Sequence, residues 1–284
     1  MIISRSIEEI REVVANWRLE GCDIGLVPTM GYFHDGHLEL MRTSAHRADK
    51  TVVSLFVNPT QFGPGEDLDV YPQDFDGDCA KARQVGVDVM FCPGPQEIYH
   101  SGHKTEVSVA SLAAGLCGVD RPGHFTGVAT VVTKLFNIVL PDYAFFGDKD
   151  FQQLRIIQQL TQDLNFAISI VGVPIVREDD GLAMSSRNAY LSESERREVL
   201  VLYKALQLIR QRVFESKGTI DTDDLIKTAA ALFDKNNSCS LEYLSIVDEQ
   251  SLQGLSKVWG RCRALGAIRV NQRIRLIDNM ALYR

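Results

Sequence analysis

Two histidines, His34 and His37, stand three residues apart in the segment 28–37, and each lies close to a glycine. An apolar run typical of a strand precedes the segment, and residues with helical apolar spacing follow it. A helix that begins there presents free backbone N–H groups and the positive end of its dipole, which attract anions. Residues i and i+3 share one face of a helix, so both imidazoles could contact one ligand. The pattern predicts a nucleotide-phosphate site more strongly than a metal site.

Two amides, Asn58 and Gln61, lie where a second apolar run ends. Amides both donate and accept hydrogen bonds, so they can bind the hydroxyl or carboxylate groups of a small substrate. The dipeptide Asn-Pro is equally a common start of a turn. From the residues alone, substrate binding and turn formation are supported to the same degree.

A third polar segment, residues 147–153, lies at a strand-to-helix junction. Lys149 could pair with phosphate oxygens there. Asp150 and Gln153 also have the spacing of a capping box with Asp150 as the N-cap residue, which would give both a structural role. The two roles compete, because a side chain bonded to a backbone N–H is less available to a ligand.

A fourth segment, residues 184–188, contributes the hydroxyls of Ser185 and Ser186 and the guanidinium of Arg187. Arginine offers forked donors that suit phosphate oxygens, so the three side chains could form a phosphate clamp. Taken alone, the segment would be better interpreted as a polar loop before the next helix.

Other patterns in the sequence do not indicate a catalytic, nucleotide-binding or metal site. The sequence has no P-loop, no G-x-G-x-x-G and no G-x-S-x-G, so a nucleotide would have to be bound in another way. His100 and His103 lack a third ligand nearby in sequence, as do His34 and His37, and we expect a solvated loop at the first pair. The acidic stretch 66–78 fails as a calcium loop, and we interpret it as a solvated loop followed by an acidic first helical turn.

The elements that must position these groups alternate between strand and helix over the first 176 residues. We predict strands at 23–28, 51–57, 88–92, 144–147 and 167–173, and helices at 37–49, 74–85, 126–139 and 151–164. Strand–helix alternation predicts an α/β fold with a Rossmann-like, doubly wound parallel sheet that binds ligands at the carboxyl ends of its strands. The polar segments above fall at such ends.

The character of the sequence changes after Pro174. Helices are predicted at 192–216 and 222–234, and strands at 241–247, 264–270 and 273–277. We therefore expect a Rossmann-like domain over residues 1–176 and a smaller α+β domain over residues 177–284, joined by the polar hinge 177–181.

Composition narrows the function class. The chain has 284 residues, 45% of them hydrophobic and 24% charged, and a net charge of −7. Because no basic stripe is visible, nucleic acid is not an expected partner. No signal peptide and no apolar run long enough for a bilayer are visible, and the six cysteines are scattered, which favours reduced thiols in a cytoplasmic enzyme.

Taken together, the polar segments are far more specific than any one of them. The chain closely resembles the pantothenate synthetase family, ATP-dependent ligases that join pantoate to β-alanine. The resemblance covers nearly the whole chain and rests on motifs at residues 28–37, 56–62, 121–128, 134–137, 146–153, 185–188 and 275–279. Two positions depart from the family pattern. Phe33 replaces a usual leucine, and Gln73 stands where an arginine is expected, so a salt bridge at that position is not assumed.

The resemblance implies a nucleotidyltransferase fold related to class I aminoacyl-tRNA synthetases, a small C-terminal lid, a homodimer, and Mg²⁺ with the ATP. It implies that pantoate attacks ATP to form pantoyl-adenylate and pyrophosphate, and that β-alanine then displaces AMP. It implies catalytic contacts to the phosphates, with His37 as proton donor, from His34, His37, Lys149, Ser185, Ser186 and Arg187. Further ATP contacts fall on Met30, Gly31, Gly147, Asp148, Asp150, Val176 and Met184. Contacts to pantoate or β-alanine fall on Met30, Asn58, Gln61 and Gln153.

Two other functions remain open at this point. One is a nucleotidyltransferase that transfers an adenylyl group and stops there, which would not form an amide with β-alanine. The other is a non-catalytic nucleotide-binding module, which would bind ATP without turnover.

Overall fold

Six short strands rich in apolar residues form a parallel sheet in the computed structural model, which describes residues 1–216 and 218–283. Their order across the sheet is β1-β4-β3-β2-β5-β6, and every neighbouring pair is parallel. The strands are β1 Ile2–Ser4, β2 Ile24–Thr29, β3 Lys50–Leu55, β4 Val89–Phe91, β5 Tyr143–Gly147 and β6 Ser169–Val173. The predicted doubly wound α/β fold is therefore confirmed.

Helices connect the strands, as parallel pairing requires. In the first part of the chain they are α1 Ile7–Leu19, α2 Asp35–Arg47, α3 Phe75–Gln84, α4 Pro95–Ile98, α5 Ala110–Ala113, α6 Cys117–Asp120, α7 His124–Val139 and α8 Phe151–Asp163. Helix α7 is the most buried of the long ones, because its sequence is apolar on nearly every face. Among the residues that the structure describes, no helix is both long and apolar enough to cross a membrane.

The order of the strands places a topological switch point between β2 and β5. The chain runs from β2 outward to β3 and β4, then crosses back to β5 on the other side of β2. Gly25 and Leu26 of β2 pair with Tyr143 and Ala144 of β5, so the two strands end side by side. Ligands of open α/β sheets bind in the crevice outside such carboxyl ends.

The chain divides into two compact units. The first contains residues 1–114, 118–148 and 152–174, and the second contains 115–117, 149–151 and the chain from Ile175 onward. The predicted boundary after residue 176 stays a prediction.

In the second unit, helices pack on an antiparallel sheet, as an α+β domain requires. Its helices are α9 Glu193–Glu198, α10 Leu200–Glu215 and α11 Thr222–Ala230, and its strands are β7 Cys239–Asp248, β8 Cys262–Val270 and β9 Ile274–Ala281. The sheet order is β7-β8-β9. Ala205 and Ile209 of α10 are fully buried in one core with Ala264 and Ile268 of β8. The single helix predicted over 192–216 is wrong in one respect, because it is interrupted at Val199.

Glu195 fixes the start of α9, and its carboxylate makes the stability of the second unit depend on pH in the acid range. Its carboxylate accepts hydrogen bonds from Ser192 N and Ser192 Oγ, both at 2.8 Å, and from Asn271 Nδ2 at 2.7 Å. The Ser192 backbone N–H is the main reason that the pKa of Glu195 falls from 4.5 to about 2. Because the pKa is lower in the folded state, the unfolded state takes up the proton first, and stability is lost as pH falls.

We therefore expect Glu195→Gln to flatten the decline of stability between about pH 4.5 and pH 2. Urea unfolding midpoints, measured across that range for the wild type and the variant, check this. Glu193→Gln is the matched control, because Glu193 is an exposed carboxylate in the same turn. An identical pH slope in the wild type and in Glu195→Gln would contradict the assignment.

Candidate functional site

A tight turn follows β2 and leads into α2. Gly31 has a φ of +92° and Tyr32 a φ of +56°, a left-handed conformation that residues other than glycine rarely adopt. The carboxylate of Asp78 holds this turn, because it accepts hydrogen bonds from Tyr32 N at 2.7 Å and from Phe33 N at 2.6 Å. A side chain on Gly31 would also approach Asp78, since a Cβ there would lie 3.1 Å from its Oδ2 atom. Met30 and Gly31 are thus fixed at the strand end.

Asp78 corrects one prediction made for the acidic stretch. Helix α3 does begin with acidic residues, and Asp74 is its N-cap. Asp78, however, is only 1% exposed, so it is a buried structural acceptor and not part of a solvated surface. Burial raises its pKa above the usual value, although the N–H groups of Phe33 and Tyr32 act in the opposite direction.

His34 and His37 lie at the start of α2 with their rings in contact and their planes tilted by 40°. The ring centroids are 4.1 Å apart. His34 is the N-cap residue, and its Nδ1 atom accepts from Gly36 N at 3.2 Å. His37 Nδ1 accepts from His34 N at 3.4 Å. Because each Nδ1 accepts a backbone N–H, each neutral ring carries its proton on Nε2, which is then a donor suited to a phosphate oxygen.

The same edge of the sheet carries Gly147 and Asp148. Both are half-buried, and they follow β5, the strand beside β2 at the switch point. Gln153 lies in the first turn of α8. The first unit therefore brings the strand-end residues Gly147 and Asp148 to the same sheet edge as the turn after β2.

Asn58 and Gln61 are buried in a single turn after β3, with exposures of 1% and 8%. Asn58 Nδ2 donates to Gln61 Oε1 at 3.1 Å and to the Gly127 carbonyl at 3.2 Å. Gln61 Nε2 lies 3.1 Å from the sulfur of Met30. Three residues assigned to the small substrates, Met30, Asn58 and Gln61, are therefore in direct contact. Turn formation and substrate binding, which the sequence left open, are compatible in this arrangement.

Asn58 also accepts hydrogen bonds inside the protein. Tyr99 Oη donates to its Oδ1 atom at 2.8 Å, and Thr60 Oγ1 donates to the same atom at 3.0 Å. Both ends of the Asn58 amide are thus engaged with protein groups. Asn58 is therefore better placed to orient the Gln61 side chain than to bind β-alanine directly.

Helix α7 approaches this turn very closely. A Cβ on Gly127 would lie 2.4 Å from the Thr60 carbonyl oxygen, so only glycine fits there. His124, the first residue of α7, lies with Nδ1 2.8 Å from the Gln61 carbonyl oxygen. Arg121 lies with NH1 3.0 Å from Nε2 of that ring, and it pairs with Glu66, whose Oε1 atom is 2.6 Å from Arg121 Nε. This ion pair lowers the pKa of Glu66, although burial acts in the opposite direction.

In the second unit, Lys149 and Ser185 line one small pocket. Asn279 Nδ2 donates to the Lys149 carbonyl at 3.0 Å, which ties the backbone of Lys149 to β9. Lys149 Nζ lies 3.8 Å from Asp150 Oδ2, and the Asp150 side chain is 49% exposed. The remaining polar members of the pocket lining include Asn188 and Asp278.

The segment Ser185–Arg187 forms the first residues of a 3-10 turn. Ser185 Oγ accepts from Arg187 N at 3.3 Å, and Ser186 is buried. Upstream, Met184 N donates to the Val176 carbonyl at 3.0 Å. These two backbone groups bind each other, so an adenine ring near Val176 and Met184 would have to use other backbone atoms of these segments.

Several residues that the sequence reasoning left without a role hold the candidate groups. Asp78 and Tyr99 were not assigned to any group, whereas His124 and Asp278 lie within motifs that were quoted without a role. Asp278 is 5% exposed and accepts from Arg177 NH1 at 2.7 Å and from Arg177 NH2 at 2.9 Å. The motifs could have indicated His124 and Asp278, but nothing in the sequence indicated Asp78 or Tyr99, because their partners are far away in sequence.

The histidines outside α2 and the cysteines show no ligand geometry in the described part of the chain. His100 lies exposed in a turn beside half-buried His103, as expected of a solvated loop. No three His, Cys, Asp or Glu side chains cluster as a metal site among residues 1–216 and 218–283. All six cysteines are free thiols, which confirms that prediction.

Comparison with known proteins agrees with this architecture. The family model described as pantoate–beta-alanine ligase matches residues 2–281. A pantothenate synthetase from Desulfotalea psychrophila is 50% identical over 281 residues, which are 98% of each protein. One from Heliobacterium modesticaldum is 50% identical over 98% of this chain and 99% of its own.

Solved structures extend the similarity to the fold. A crystal structure of pantothenate synthetase from Thermus thermophilus matches with a TM-score of 0.93 at 41% identity, over 100% of both chains. A pantoate–beta-alanine ligase from Francisella tularensis, complexed with beta-gamma ATP and beta-alanine, matches with a TM-score of 0.79 at 31% identity, over 99% of this chain and 98% of its own.

Proposed function

The chain belongs to the pantoate–beta-alanine ligase family, and we propose that it joins these two substrates through a pantoyl-adenylate. In the first half-reaction the pantoate carboxylate attacks the α-phosphorus of ATP, and pyrophosphate leaves. In the second, the amine of β-alanine attacks the acyl carbon, and AMP leaves. The observation that carries the proposal is the pair of adjacent imidazoles, His34 and His37, at the start of α2, beside the strand end where α/β sheets bind nucleotides.

The first half-reaction needs charge stabilisation more than a base, because a carboxylate is already a nucleophile. Transfer at phosphorus is promoted by positioning and by donors aimed at the phosphate oxygens. The Nε2 donors of His34 and His37 suit that role, together with the helix N-terminus. The role of proton donor to the leaving pyrophosphate would fall on His37 only as the imidazolium, which has to give up the Nδ1 contact with His34 N; the neutral ring acts as a hydrogen-bond donor through Nε2.

For the acid substrate, we propose that Gln61 and Gln153 donate hydrogen bonds to the oxygens of pantoate. The methyl groups of pantoate would pack on Met30, whose sulfur already lies 3.1 Å from Gln61 Nε2. Asn58 would help to place β-alanine through Gln61. Gly147 and Asp148 would lie near the ribose.

For the second unit, we propose that Lys149, Ser185, Ser186 and Arg187 bind phosphate oxygens. Lys149 and Ser185 share one pocket lining, which supports grouping them. Asp150 would meet the ribose, and the backbone near Val176 and Met184 the adenine. Mg²⁺ fits this proposal as an ion held by ATP phosphates and water, since magnesium commonly takes few protein ligands.

The test is AMP formation from ATP with pantoate alone, with β-alanine alone, and with both. We expect sustained AMP release and amide formation only with both substrates, and ATP–pyrophosphate exchange with pantoate alone. Release of ADP, or turnover with one substrate, would overturn the adenylate route. Adenylyl transfer without amide formation would identify a nucleotidyltransferase that stops at that step, and ATP binding without turnover a non-catalytic module.

A further inference from the structure

The amide of Gln61 has its direction set by a chain of hydrogen bonds that starts at Tyr99. The Tyr99 hydroxyl donates to Asn58 Oδ1 at 2.8 Å, and Asn58 Nδ2 donates to Gln61 Oε1 at 3.1 Å. Because the oxygen of Asn58 receives the hydroxyl, its nitrogen must face Gln61. Gln61 must then offer its oxygen to Asn58, and its Nε2 donor is directed to the opposite side, toward Met30.

The opposite orientation of Asn58 is strongly disfavoured. A flipped amide would place its oxygen against the Gly127 carbonyl, which now accepts from Asn58 Nδ2 at 3.2 Å. It would also turn the amide nitrogen toward the hydroxyls of Thr60 and Tyr99. Asn58 is 1% exposed, so water cannot satisfy the groups left unpaired. Burial raises the pKa of Tyr99, so the phenol keeps its proton and remains a donor.

A second, independent group holds the main chain of Gln61. Arg121 has only donors, so Nε2 of His124 must accept from it across their 3.0 Å contact. The proton of the His124 ring therefore lies on Nδ1, which donates to the Gln61 carbonyl at 2.8 Å. With the backbone fixed in this way, the side-chain amide of Gln61 could still rotate, and Tyr99, together with Thr60, which donates to the same Asn58 oxygen, acts on that remaining freedom through Asn58.

We propose that Tyr99 is a positioning residue that, through Asn58, presents the Nε2–H donor of Gln61 to an oxygen of pantoate. The arrangement selects an acid with a hydrogen-bond acceptor at that point, and it opposes a substrate with a donor there. The inference rests on the proposed function, because it takes Gln61 as a pantoate contact.

The test is a double-mutant cycle with Tyr99→Phe and Gln61→Ala. Tyr99→Phe should raise the KM for pantoate about three- to tenfold, the effect of one neutral hydrogen bond, with the KM for ATP unchanged. In the Gln61→Ala background, Tyr99→Phe should have no further effect on the KM for pantoate, because its route of action is gone. Tyr143→Phe, at the start of β5, is the matched control.

Tyr99→Phe keeps the aromatic ring, which packs on Phe56 with centroids 6.3 Å apart, so a folded protein is expected, with a small fall in the unfolding midpoint from the one lost hydrogen bond. Asn58→Asp supplies a second variant of nearly the same shape. Its carboxylate has no donor for Gln61 Oε1, so the Gln61 amide should turn over, and the KM for pantoate should rise more than tenfold.

The possible outcomes separate the inference from the function on which it rests. If Gln61→Ala leaves the KM for pantoate unchanged, the assignment of Gln61 to pantoate fails. If Gln61→Ala raises that KM but Tyr99→Phe does not, or if the two effects multiply, the positioning role of Tyr99 is overturned. If Tyr99→Phe changes the KM for pantoate only in the presence of Gln61, the role is supported.

Discussion

His37→Ala is expected to slow pantoate-dependent ATP–pyrophosphate exchange by about ten- to a hundredfold while the fold stays intact. The variant removes the Nε2 donor that we assign to the phosphates, and a charge-assisted hydrogen bond contributes about 1.5–3 kcal/mol. Exchange measured with saturating pantoate and ATP isolates the first half-reaction. Preserved exchange in the variant would contradict the assignment.

Two controls separate chemistry from helix capping. His37 also supplies an acceptor to His34 N at 3.4 Å, as the third residue of a capping box. Glutamate at this position would keep a capping acceptor but has no N–H donor, so His37→Glu should retain stability and still lack exchange. His46→Ala, in the exposed last turn of the same helix, should change neither stability nor exchange. Recovery of exchange in His37→Glu would assign His37 to capping alone.

The parts of the fold that the sequence predicted are those with strong local signals. Strands β2 and β3 have six residues each, most of them apolar or β-branched, as buried parallel strands usually have. The edge strand β1 was missed, because three residues carry no measurable alternation. Helix α1 was missed as well, although Ser6 and Glu9 form a capping box that the sequence displays. Strand β9 extends to Ala281, four residues beyond its predicted end, because polar residues such as Asp278 are buried by partners.

The sequence predicted the candidate residues that lie at the ends of helices and strands, but not the distant residues that contact them. Helix starts and strand ends can be inferred from local sequence, and they indicated the histidine pair and the amide turn. The groups that hold them cannot be inferred, because Asp78 is 46 residues from Tyr32 and Tyr99 is 41 residues from Asn58. A carboxylate in an acidic stretch looks solvated until the fold brings backbone donors to it, and this is why Asp78 was misjudged.

Arg177→Met is expected to lower the free energy of unfolding of the second unit by about 3 kcal/mol, the lower end of the range for buried ion pairs. Arg177 donates to both oxygens of Asp278, at 2.7 Å and 2.9 Å, and its guanidinium lies 4.7 Å from the ring centre of Tyr203. The Arg177 side chain is 21% exposed, whereas that of Asp278 is 5% exposed. Removing the guanidinium therefore leaves a buried carboxylate without the positive charge and the two hydrogen bonds that stabilise it. Urea unfolding at neutral pH gives the difference, with exposed Arg210→Met as the matched control.

The pH dependence of Arg177→Met identifies the buried carboxylate as the cause. Burial already raises the pKa of Asp278 above its usual value, and the charge and hydrogen bonds of Arg177 oppose that rise. Without Arg177 the pKa rises further, so the folded variant takes up a proton before the unfolded chain as pH falls, and its deficit in stability shrinks. Asp278→Leu added to Arg177→Met should recover part of the loss at neutral pH, because no unpaired charge remains buried. A loss of stability below about 1 kcal/mol, or no recovery in the double variant, would show that the pair contributes no more than a solvent-exposed ion pair.

Arg177→Met should also reduce the ligase rate, because Asn279, the residue after Asp278 in β9, donates a hydrogen bond to the Lys149 carbonyl.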